Sequence, residues 1–576
     1  MDFKIVTLHK PFLFFYFLII ISITVEAQFA VKKYPQGYFI YPVGATIALA
    51  ANFGELRPNH YHMGLDCRTE QRVNLPVYAA ADGYVAKVRI EPEGFGRAIY
   101  INHPNGLTTL YGHLNDFYPE LEKYVKQQQY KLESWQVFLD IPPNLFPVKQ
   151  HQFIANSGNA GASQGPHMHF EIRDTRTDKV LNPLLFGFPI KDDVPPTIVR
   201  LAVYDRSIST YSQSPRLLSL KKINGVYIPV TPIINVSSSK VSFAISAFDK
   251  ISGSANPNGI YQAVLYDNDE AQVGFQLDSI TYDETRYLNA HIDYKLRAGG
   301  GPFVEHLSRL PGYPQGIYKD FKNDGVIDLS DEALHNIKIE VKDTYGNTSI
   351  LKFQVKGNSD KKSSGANQQT EFQPGFLNIF DKDDIQVIVG ENDLYDSITF
   401  LYSKTASATA NAISYVHHIH TGLVPVHGFY TIKIKPSVLA ANLNSDKIIM
   451  ERTWGDKTDV VKAKREVDWL TGTFRNFGNV QLLIDNVPPV IAPVGISDGA
   501  NLSHAAQVIF VVTDNNKAIK NFRAELDGRW LRFTNDKGRS FIYKFDEMCP
   551  AGAHELKVSV EDEAGNTVVK QYHFSR

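Results

Sequence analysis

The sequence predicts a mostly β protein made of several domains. It has 576 residues, and at roughly 150 residues per domain about four domains are expected. It contains 29 Tyr and 35 Phe beside only 5 Met and 4 Trp, and aromatic side chains favour strands because they fit a half-buried pleated surface. Short runs of β-branched and aromatic residues also alternate with Gly, Pro, Asn and Asp turn signals along the chain.

Composition and charge exclude some classes of protein. A content of 43% hydrophobic and 21% charged residues is ordinary for a folded protein, so wholesale disorder is excluded. The 59 Lys and Arg against 61 Asp and Glu give a net charge of −2, which leaves no basic excess to bind nucleic acid. The chain has only Cys67 and Cys549, so hydrophobic cores rather than a disulfide framework must stabilise it.

Residues 1–27 have the pattern of a secretory signal peptide. A charged start precedes an apolar run from Pro11 to Val25 and the small residue Ala27, after which we expect cleavage. The apolar run is shorter than the roughly 20 residues that span a bilayer, so an uncleaved anchor is the less favoured alternative. No later segment is apolar enough to span a membrane. We therefore expect export to a periplasm or cell envelope, or secretion.

Residues 28–190 form the first predicted domain, an antiparallel β meander. Strand-length runs at 84–90, 97–103 and 107–113 are separated by Gly-containing turn signals. A helix is predicted at 120–125, where Leu121, Tyr124 and Val125 recur with helical spacing. It lies in the long connection that precedes the next strand.

Beyond residue 190 the chain repeats itself. A Pro-Pro start, β runs and a closing strand with an Asp-x-x-Gly-Asn turn are typical of short β-sandwich modules. The matching pairs are 193–198 with 486–491, 243–249 with 508–514, and 337–347 with 556–566. The predicted regions are a sandwich module with an insertion at 191–357, a linker at 358–373, a β-rich module at 374–484 and an immunoglobulin-like sandwich at 485–576.

Three short motifs in the first domain place His and Asp at spacings that suit a metal site. They are H-x-G-x-D from His62 to Asp66, a strand that ends at His113, and H-x-H from His167 to His169. Residues two apart on a strand face the same side, and residues four apart around a glycine can converge. Two imidazoles and one carboxylate hold Zn²⁺ and leave a position for water. Two further imidazoles then remain for proton transfer and oxyanion stabilisation.

At these motifs the chain resembles the lysostaphin-type (LytM-like) zinc metallopeptidases, which cut peptide cross-links in bacterial cell walls. The resemblance spans about residues 40–185 and includes all three motifs in the family's order. It implies an antiparallel β peptidase domain of the duplicated hybrid motif type. The connection at 115–156 is longer than in compact members of the family, and it would form one wall of the cleft.

The resemblance also implies roles for individual residues. His62, Asp66 and His169 would bind zinc. His113 and His167 would flank the bound water and the scissile carbonyl, one as base and one as oxyanion stabiliser, in either order. The neighbouring Glu171 has two readings, as a partner that orients an imidazole or as a solvated strand residue.

The function implied is that of an exported zinc metalloendopeptidase acting on peptidoglycan stem peptides or cross-bridges. The C-terminal modules would position it, with a cell-envelope protein as one conceivable partner. Two alternatives stay open: a non-catalytic peptidoglycan-binding or regulatory module, and a zinc peptidase that acts on a secreted protein or peptide. A pure binding module would not need three ligands and both flanking histidines.

Other candidate clusters have simpler explanations. His60 is not followed by Gly and Asp at the spacings of the motif, and His103 precedes a turn. A histidine cluster in the β-rich module has no carboxylate or Cys close by in sequence, so only adventitious metal affinity is expected of it. Residues 320–331 weakly resemble a calcium loop, but Lys322 stands at a ligand position, which favours a hairpin turn. The histidine cluster of the β-rich module consists of His417, His418, His420 and His427.

Overall fold

The computed structural model describes residues 29–30, 32–357, 370–437, 445–538 and 540–576. The predicted signal peptide, residues 1–27, and most of the predicted linker lie outside the described residues. The described chain consists mainly of strands, which confirms the predicted mostly β fold. None of the described helices is long and apolar enough to cross a membrane.

The first region is an antiparallel β structure with one longer helix, α1 (Pro119–Leu132). The strands are β1 Leu49–Ala51, β2 Leu56–Arg57, β3 His60–Tyr61, β4 Leu65–Arg68, β5 Pro76–Tyr78, β6 Gly83–Ile90, β7 Arg97–Asn102, β8 Leu107–Gly112, β9 Leu114–Phe117, β10 Val137–Asp140, β11 Pro147–Val148, β12 Phe153–Ser157, β13 His167–Asp174 and β14 Val180–Leu181. The main sheet has the order β1-β4-β13-β8-β7-β6-β10.

This strand order brings the three sequence motifs together. β13, which carries the H-x-H motif, lies between β4, which carries Asp66, and β8, which ends just before His113. In the β13 ladder His169 is opposite Asp66 on one side and Gly112 on the other. Antiparallel pairing therefore makes neighbours of motifs that are more than a hundred residues apart.

Helix α1 is longer than the predicted segment 120–125. It begins with Pro119, whose fixed φ and missing N–H suit the first helical position. It ends at Glu133, which adopts a left-handed φ of 47°. The additional turns bury Gln129, whose side-chain amide donates to the carbonyl of Trp135. Because Gln129 is polar, the spacing of apolar residues did not reveal these turns, and the predicted helix was too short.

The second region follows with thirteen strands and the short helices α2 (Leu288–His291) and α3 (Tyr294–Ala298). Its strands are β15 Thr197–Asp205, β16 Arg216–Ile223, β17 Val226–Pro229, β18 Ile233–Val236, β19 Lys240–Phe248, β20 Gln262–Asp267, β21 Glu270–Gln276, β22 Ser279–Ile280, β23 Glu305–His306, β24 Tyr318–Asp320, β25 Ile327–Asp328, β26 Leu334–Lys342 and β27 Thr348–Gly357.

The first region has its own hydrophobic core, and a few of its residues are also buried in the core of the second region. Phe53, Tyr61 and Met63 of the first region are buried in the same cluster as Leu277 and Leu288 of the second. Strand β22 also pairs with β14 and so adds to the main sheet of the first region. The second region therefore packs directly behind the H-x-G-x-D motif.

The last two regions are also built from strands. The third contains two five-stranded sheets around its own core, and the fourth contains a five-stranded and a three-stranded sheet. The strands of the third are β28 Glu371–Phe372, β29 Asn378–Lys382, β30 Ile385–Val389, β31 Ile398–Thr399, β32 Tyr402–Thr405, β33 Val416–Ile419, β34 Pro425–Ile434, β35 Ile448–Trp454, β36 Lys457–Lys462, β37 Lys464–Glu466, β38 Trp469–Asn476 and β39 Gly478–Ile484. Those of the fourth are β40 Val490–Val494, β41 Ala500–Asn501, β42 Gln507–Thr513, β43 Ile519–Leu526, β44 Arg529–Trp530, β45 Phe541–Lys544, β46 Ala553–Asp562 and β47 Thr567–Ser575.

Candidate active site

The predicted metal ligands His62, Asp66 and His169 converge on one buried point. His62 Nε2 lies 2.9 Å from Asp66 Oδ1, and His169 Nδ1 lies 3.0 Å from the same oxygen. The two imidazole nitrogens are 3.1 Å apart. All three side chains are buried, so each potential ligand atom faces the others rather than bulk solvent.

Each of the two histidines is oriented by a hydrogen bond on its far side. His62 donates from Nδ1 to the carbonyl of Asn52 over 2.7 Å, which leaves Nε2 directed at Asp66. His169 donates from Nε2 to Glu171 Oε1 over 2.9 Å, which leaves Nδ1 directed at Asp66. Such partners fix the tautomer and orientation of a metal-binding imidazole.

The donor set fits a zinc ion. Zinc binds imidazole nitrogen and carboxylate oxygen at about 2.0–2.2 Å in tetrahedral geometry, so its ligands are separated by roughly 3.3 Å. The separations observed between His62, Asp66 and His169 are 2.9–3.1 Å. Three ligands leave a fourth tetrahedral position for water or a substrate oxygen.

His113 and His167 lie beside this group. Their rings are 4.7 Å apart, and His167 Nε2 lies 3.4 Å from Asp66 Oδ1. His113 donates from Nδ1 to the carbonyl of Ala160, and His167 donates from Nδ1 to the carbonyl of Gly165, each over 2.8 Å. In the neutral form of both rings, Nε2 is therefore the basic atom.

The backbone of His113 is unusual as well. It has a φ of 58°, in the left-handed region that few non-glycine residues occupy. Its amide is fixed in this conformation because it donates to the carbonyl of Phe95 over 2.9 Å. This conformation ends β8 and directs the imidazole toward His167.

The imidazole rings around Asp66 favour the ionised form of its carboxylate. Burial alone would raise the pKa of Asp66, but His62 and hydrogen bonds from His167 and His169 hold that pKa well below its usual value. Burial and the neighbouring His167 and His169 lower the pKa of His113 to about 3, so this ring is neutral at neutral pH. In this neutral ring the lone pair of Nε2 is unprotonated.

His169 and Glu171 form a coupled pair behind the metal group. Burial lowers the pKa of His169, but its hydrogen bonds to Asp66 and Glu171 raise it to about 9. Burial raises the pKa of Glu171, but Arg173 and His169 lower it to about 2. A metal ion binds the unprotonated Nδ1, so metal binding at His169 would compete with protonation of this nitrogen.

Several residues around the site were not identified in the sequence. Tyr282 of the second region donates to Glu171 Oε1 over 2.5 Å, and Arg173 donates to Glu171 Oε2 over 2.7 Å. Arg57 donates to Asp66 Oδ2 over 3.3 Å. Glu171 is fully buried, so of its two readings the structure supports that of an orienting partner. Tyr282 lacks any sequence signal, because it reaches the site only through the packing of two regions.

The other predicted clusters do not assemble into sites among the described residues. His60 is exposed and binds the carbonyl of Pro58, and His103 lies in a separate network with Asp82 and Thr109. His417 is buried against Tyr402, while His418 contacts Asn479. The described residues contain two further acidic groups that could hold a cation, and residues 320–331 belong to neither.

Two family models match the chain. Residues 60–130 match peptidase family M23, and residues 370–485 match a Zu5-like domain. The second match lies on the segment that the sequence predicted only as a β-rich module.

Individual relatives match the first region. An uncharacterized metalloprotease of Haemophilus influenzae is 30% identical over 163 residues, which make up 27% of this chain and 28% of the relative. A DD-carboxypeptidase/endopeptidase of Neisseria meningitidis is 29% identical over 155 residues, or 27% of this chain and 26% of the relative. The chain thus matches little more than a quarter of the length of each relative.

One solved structure also resembles part of the chain. A zinc-containing peptidase from Vibrio cholerae has 25% sequence identity and a TM-score of 0.20, over 28% of this chain and 41% of that chain. The matched family segment, residues 60–130, contains His62, Asp66 and His113. The resemblance identified from the motifs is therefore confirmed, and the first region of this protein contains a peptidase family M23 domain.

Proposed function

We propose that this protein is an exported zinc metalloendopeptidase that hydrolyses peptide bonds in peptidoglycan stem peptides or cross-bridges. The observation that carries the proposal is the convergence of His62, Asp66 and His169, with the rings of His113 and His167 beside them. These five side chains would supply three metal ligands and two groups for proton transfer and oxyanion stabilisation.

The proposed chemistry divides between a metal and the two flanking histidines. When bound by His62, Asp66 and His169, zinc supplies a Lewis acid that lowers the pKa of a water from about 15.7 towards 7. His113 and His167 each direct Nε2 away from a backbone hydrogen bond, so each can accept or donate a proton there. One would take the proton of the attacking water on Nε2, and the other, in the state that carries a proton on Nε2, would donate a hydrogen bond to the tetrahedral oxyanion.

The substrate class is supported by two relatives. One is named a DD-carboxypeptidase/endopeptidase. Another, from Vibrio cholerae, is named a peptidoglycan DD-endopeptidase and is 27% identical over 161 residues, which cover 31% of that protein. The signal-like residues 1–27 support export to the compartment in which peptidoglycan lies.

The test is release of muropeptides from isolated cell-wall sacculi by the purified mature protein, from Gln28 onward. We expect mass spectrometry to find uncross-linked products that disappear with a zinc chelator and return when zinc is added. His113→Ala should abolish release while zinc binding persists, because His113 is not part of the ligand set. His60→Ala is the matched control, since this exposed histidine lies two residues from a ligand and should leave release unchanged.

The two alternatives predict different results. A binding or regulatory module would bind sacculi and zinc without releasing any product. A peptidase for a secreted protein would leave sacculi intact but cleave unrelated peptides in a chelator-sensitive manner. Either result would overturn the proposed substrate, and the new chain ends of a released product would identify the bond that is cut.

A further inference from the structure

Three aspartates of the second region meet at the junction with the peptidase domain. They are Asp192, which precedes the first strand of this region, Asp249, which follows β19, and Asp343, which follows β26. One carboxylate oxygen of each lies within 4.8 Å of those of the other two. Asp249 and Asp343 are only 4% and 3% exposed, so two of the three carboxylates are held away from water.

Two oxygens at this group are buried and have no hydrogen-bond donor within the described part of the chain. One is Oδ1 of Asp249, and the other is the amide Oδ1 of Asn258, whose residue is 4% exposed. Asn258 is directly opposite Asp249, because the two exchange backbone hydrogen bonds of 2.8 and 2.9 Å. Side chains of directly opposed residues lie on the same face, so the side chains of Asn258 and Asp249 share one face of this bridge. Buried acceptors of this kind are satisfied by an ordered water or a bound cation.

No basic side chain supplies that partner among the described residues. None of Asp192, Asp249 and Asp343 forms an ion pair with Lys, Arg or His within 4.0 Å; their donors are backbone amides, Ser252 and Asn347. Burial together with the charges of Asp343 and Asp192 raises the pKa of Asp249 to about 7. The group therefore concentrates negative charge that the protein itself leaves uncompensated.

The fourth region repeats the same arrangement. Asp485, Asp514 and Asp562 stand at the positions equivalent to the first three aspartates, and they again lie within 4.8 Å of one another. Oδ1 of Asp514 is buried without a donor, as is Oδ1 of Asp249. Asn566 bridges Asp562 and the carbonyl of Asp485, as Asn347 bridges Asp343 and the carbonyl of Asp192. The two modules have thus kept the same acidic group despite different lengths.

We propose that the Asp192, Asp249 and Asp343 group, completed by Asn258, is a Ca²⁺ site, and that the Asp485, Asp514 and Asp562 group is a second one. Ca²⁺ takes oxygen ligands at about 2.3–2.6 Å, so oxygens on opposite sides of the ion are roughly 4.8 Å apart. Carboxylate and amide oxygens without any sulfur or imidazole favour this hard cation over zinc.

The position of the sites gives the ion a structural role. Asp192 and Asp485 belong to the segments that enter the modules, whereas the other aspartates belong to strand ends and hairpin turns inside them. An ion that binds all three ties the entering segment to its module. Calcium would therefore fix the second region against the peptidase domain, and the fourth region against the third.

The test is equilibrium dialysis of the full mature protein, loaded with zinc, against ⁴⁵Ca²⁺. We expect two ions per chain, with dissociation constants of about 10⁻⁴–10⁻³ M. Asp249→Asn should leave one ion, and Asp249→Asn combined with Asp514→Asn should leave none. Calcium at ten times the dissociation constant should raise the Tm of the unmodified protein by about 3 °C and should not raise that of the double variant.

Two controls separate loss of a site from loss of the fold. Asp328→Asn, at an exposed acidic position of the same region, should retain both ions. In calcium-free buffer Asp249→Asn should melt no lower than the unmodified protein, because it removes an uncompensated buried charge. Absence of saturable binding up to about 10 mM, ten times the weakest constant expected, or binding that persists in the double variant, would overturn the proposal.

Discussion

At the scale of single residues, each predicted metal-binding histidine is oriented by the hydrogen bond that its other ring nitrogen makes. Glu171 accepts from His169 and Tyr282 through one oxygen and from Arg173 through the other. The ionised carboxylate therefore holds the imidazole in the orientation that presents Nδ1 to the metal group. Replacing that carboxylate by an amide keeps the shape but weakens each of these bonds.

We expect Glu171→Gln to weaken zinc binding by about 10–100-fold, because partners of this kind contribute that much to metal affinity. The measurement is competition with a chromophoric zinc chelator. Glu340→Gln is the control, since this half-buried strand glutamate pairs with Lys342 in the second region. Equal affinities for both variants would contradict an orienting role for Glu171.

At the scale of elements, two loops meet through glycines next to the predicted catalytic residue His113. The turn that contains Gly96 lies against the loop of Ala160 and Gly161, and Ala162 donates to the carbonyl of Gly94 over 2.9 Å. A Cβ on Gly96 would clash with the backbone of Ala160 and Gly161. The same loop supplies the carbonyl that holds His113, so its position is set by this glycine contact.

Gly96→Ala is expected to displace that loop and to lower kcat on the order of 100-fold, the effect of about 1 Å of misplacement. Gly106→Ala is the matched control, because Gly106 also has a positive φ, 80°, but open space around it. The control should cost only about 1 kcal/mol of stability for its strained φ. Steady-state kinetics and thermal melts would compare the kcat and the stability of the two variants. Equal kcat values for Gly96→Ala and Gly106→Ala would contradict a role for the Gly96 contact in positioning the loop.

The third region contains a buried histidine that makes its stability depend on pH. His417 on β33 is fully buried and accepts from Tyr402, while its Nε2 has no partner among the described residues. Burial is the main cause that lowers its pKa to about 4, so the folded state holds it neutral. The unfolded chain protonates it below about pH 6.5. Its contribution to stability is therefore present above pH 6.5 and is lost as the pH falls towards 4.

We expect the unfolding transition of this region to weaken between pH 7 and pH 5, by on the order of 1 kcal/mol from His417 alone. In His417→Gln this part of the pH dependence should disappear. His418→Gln is the control, because it makes the same substitution at the neighbouring, half-buried position. Calorimetry at the two pH values measures the difference, and a steeper dependence in His417→Gln would contradict the assignment.

At the scale of the whole molecule, the fourth region packs against the peptidase domain. Asp536 accepts from the amide of Gly161 over 2.8 Å, and Lys537 donates from Nζ to the carbonyl of Ser163. The contact continues along α1, where Lys126 pairs with Asp546 over 2.7 Å. The long connection at 115–156 thus provides the docking surface for the last region.

We expect Lys537→Met to loosen the loop at 158–166 and to lower kcat several-fold, because this loop supplies the carbonyls that orient His113 and His167. Hydrogen exchange of the loop amides should accelerate, which reports local opening. Lys520→Met is the control, since Lys520 pairs with Glu561 inside the fourth region. A rise in kcat would mean that the fourth region covers the cleft instead of supporting the loop.

The sequence alone determined the features that depend on local spacing. Strand-length runs and turn glycines predicted the strands of the first region, and the motifs at His62, His113 and His167 predicted one metal group. The repeat outlines predicted two related modules. These features are readable because each strand, turn or motif is encoded within about ten residues.

Only the tertiary structure decided which distant groups support the site. Tyr282 reaches Glu171 across 111 residues of sequence, and Asp536 reaches Gly161 across 375. The sequence identified Asp343 and Asp562 only as turn residues of the repeated modules, and no local pattern placed them beside the other aspartates. Such contacts depend on how packed regions exclude water and bring strand ends together, and no local spacing encodes that packing.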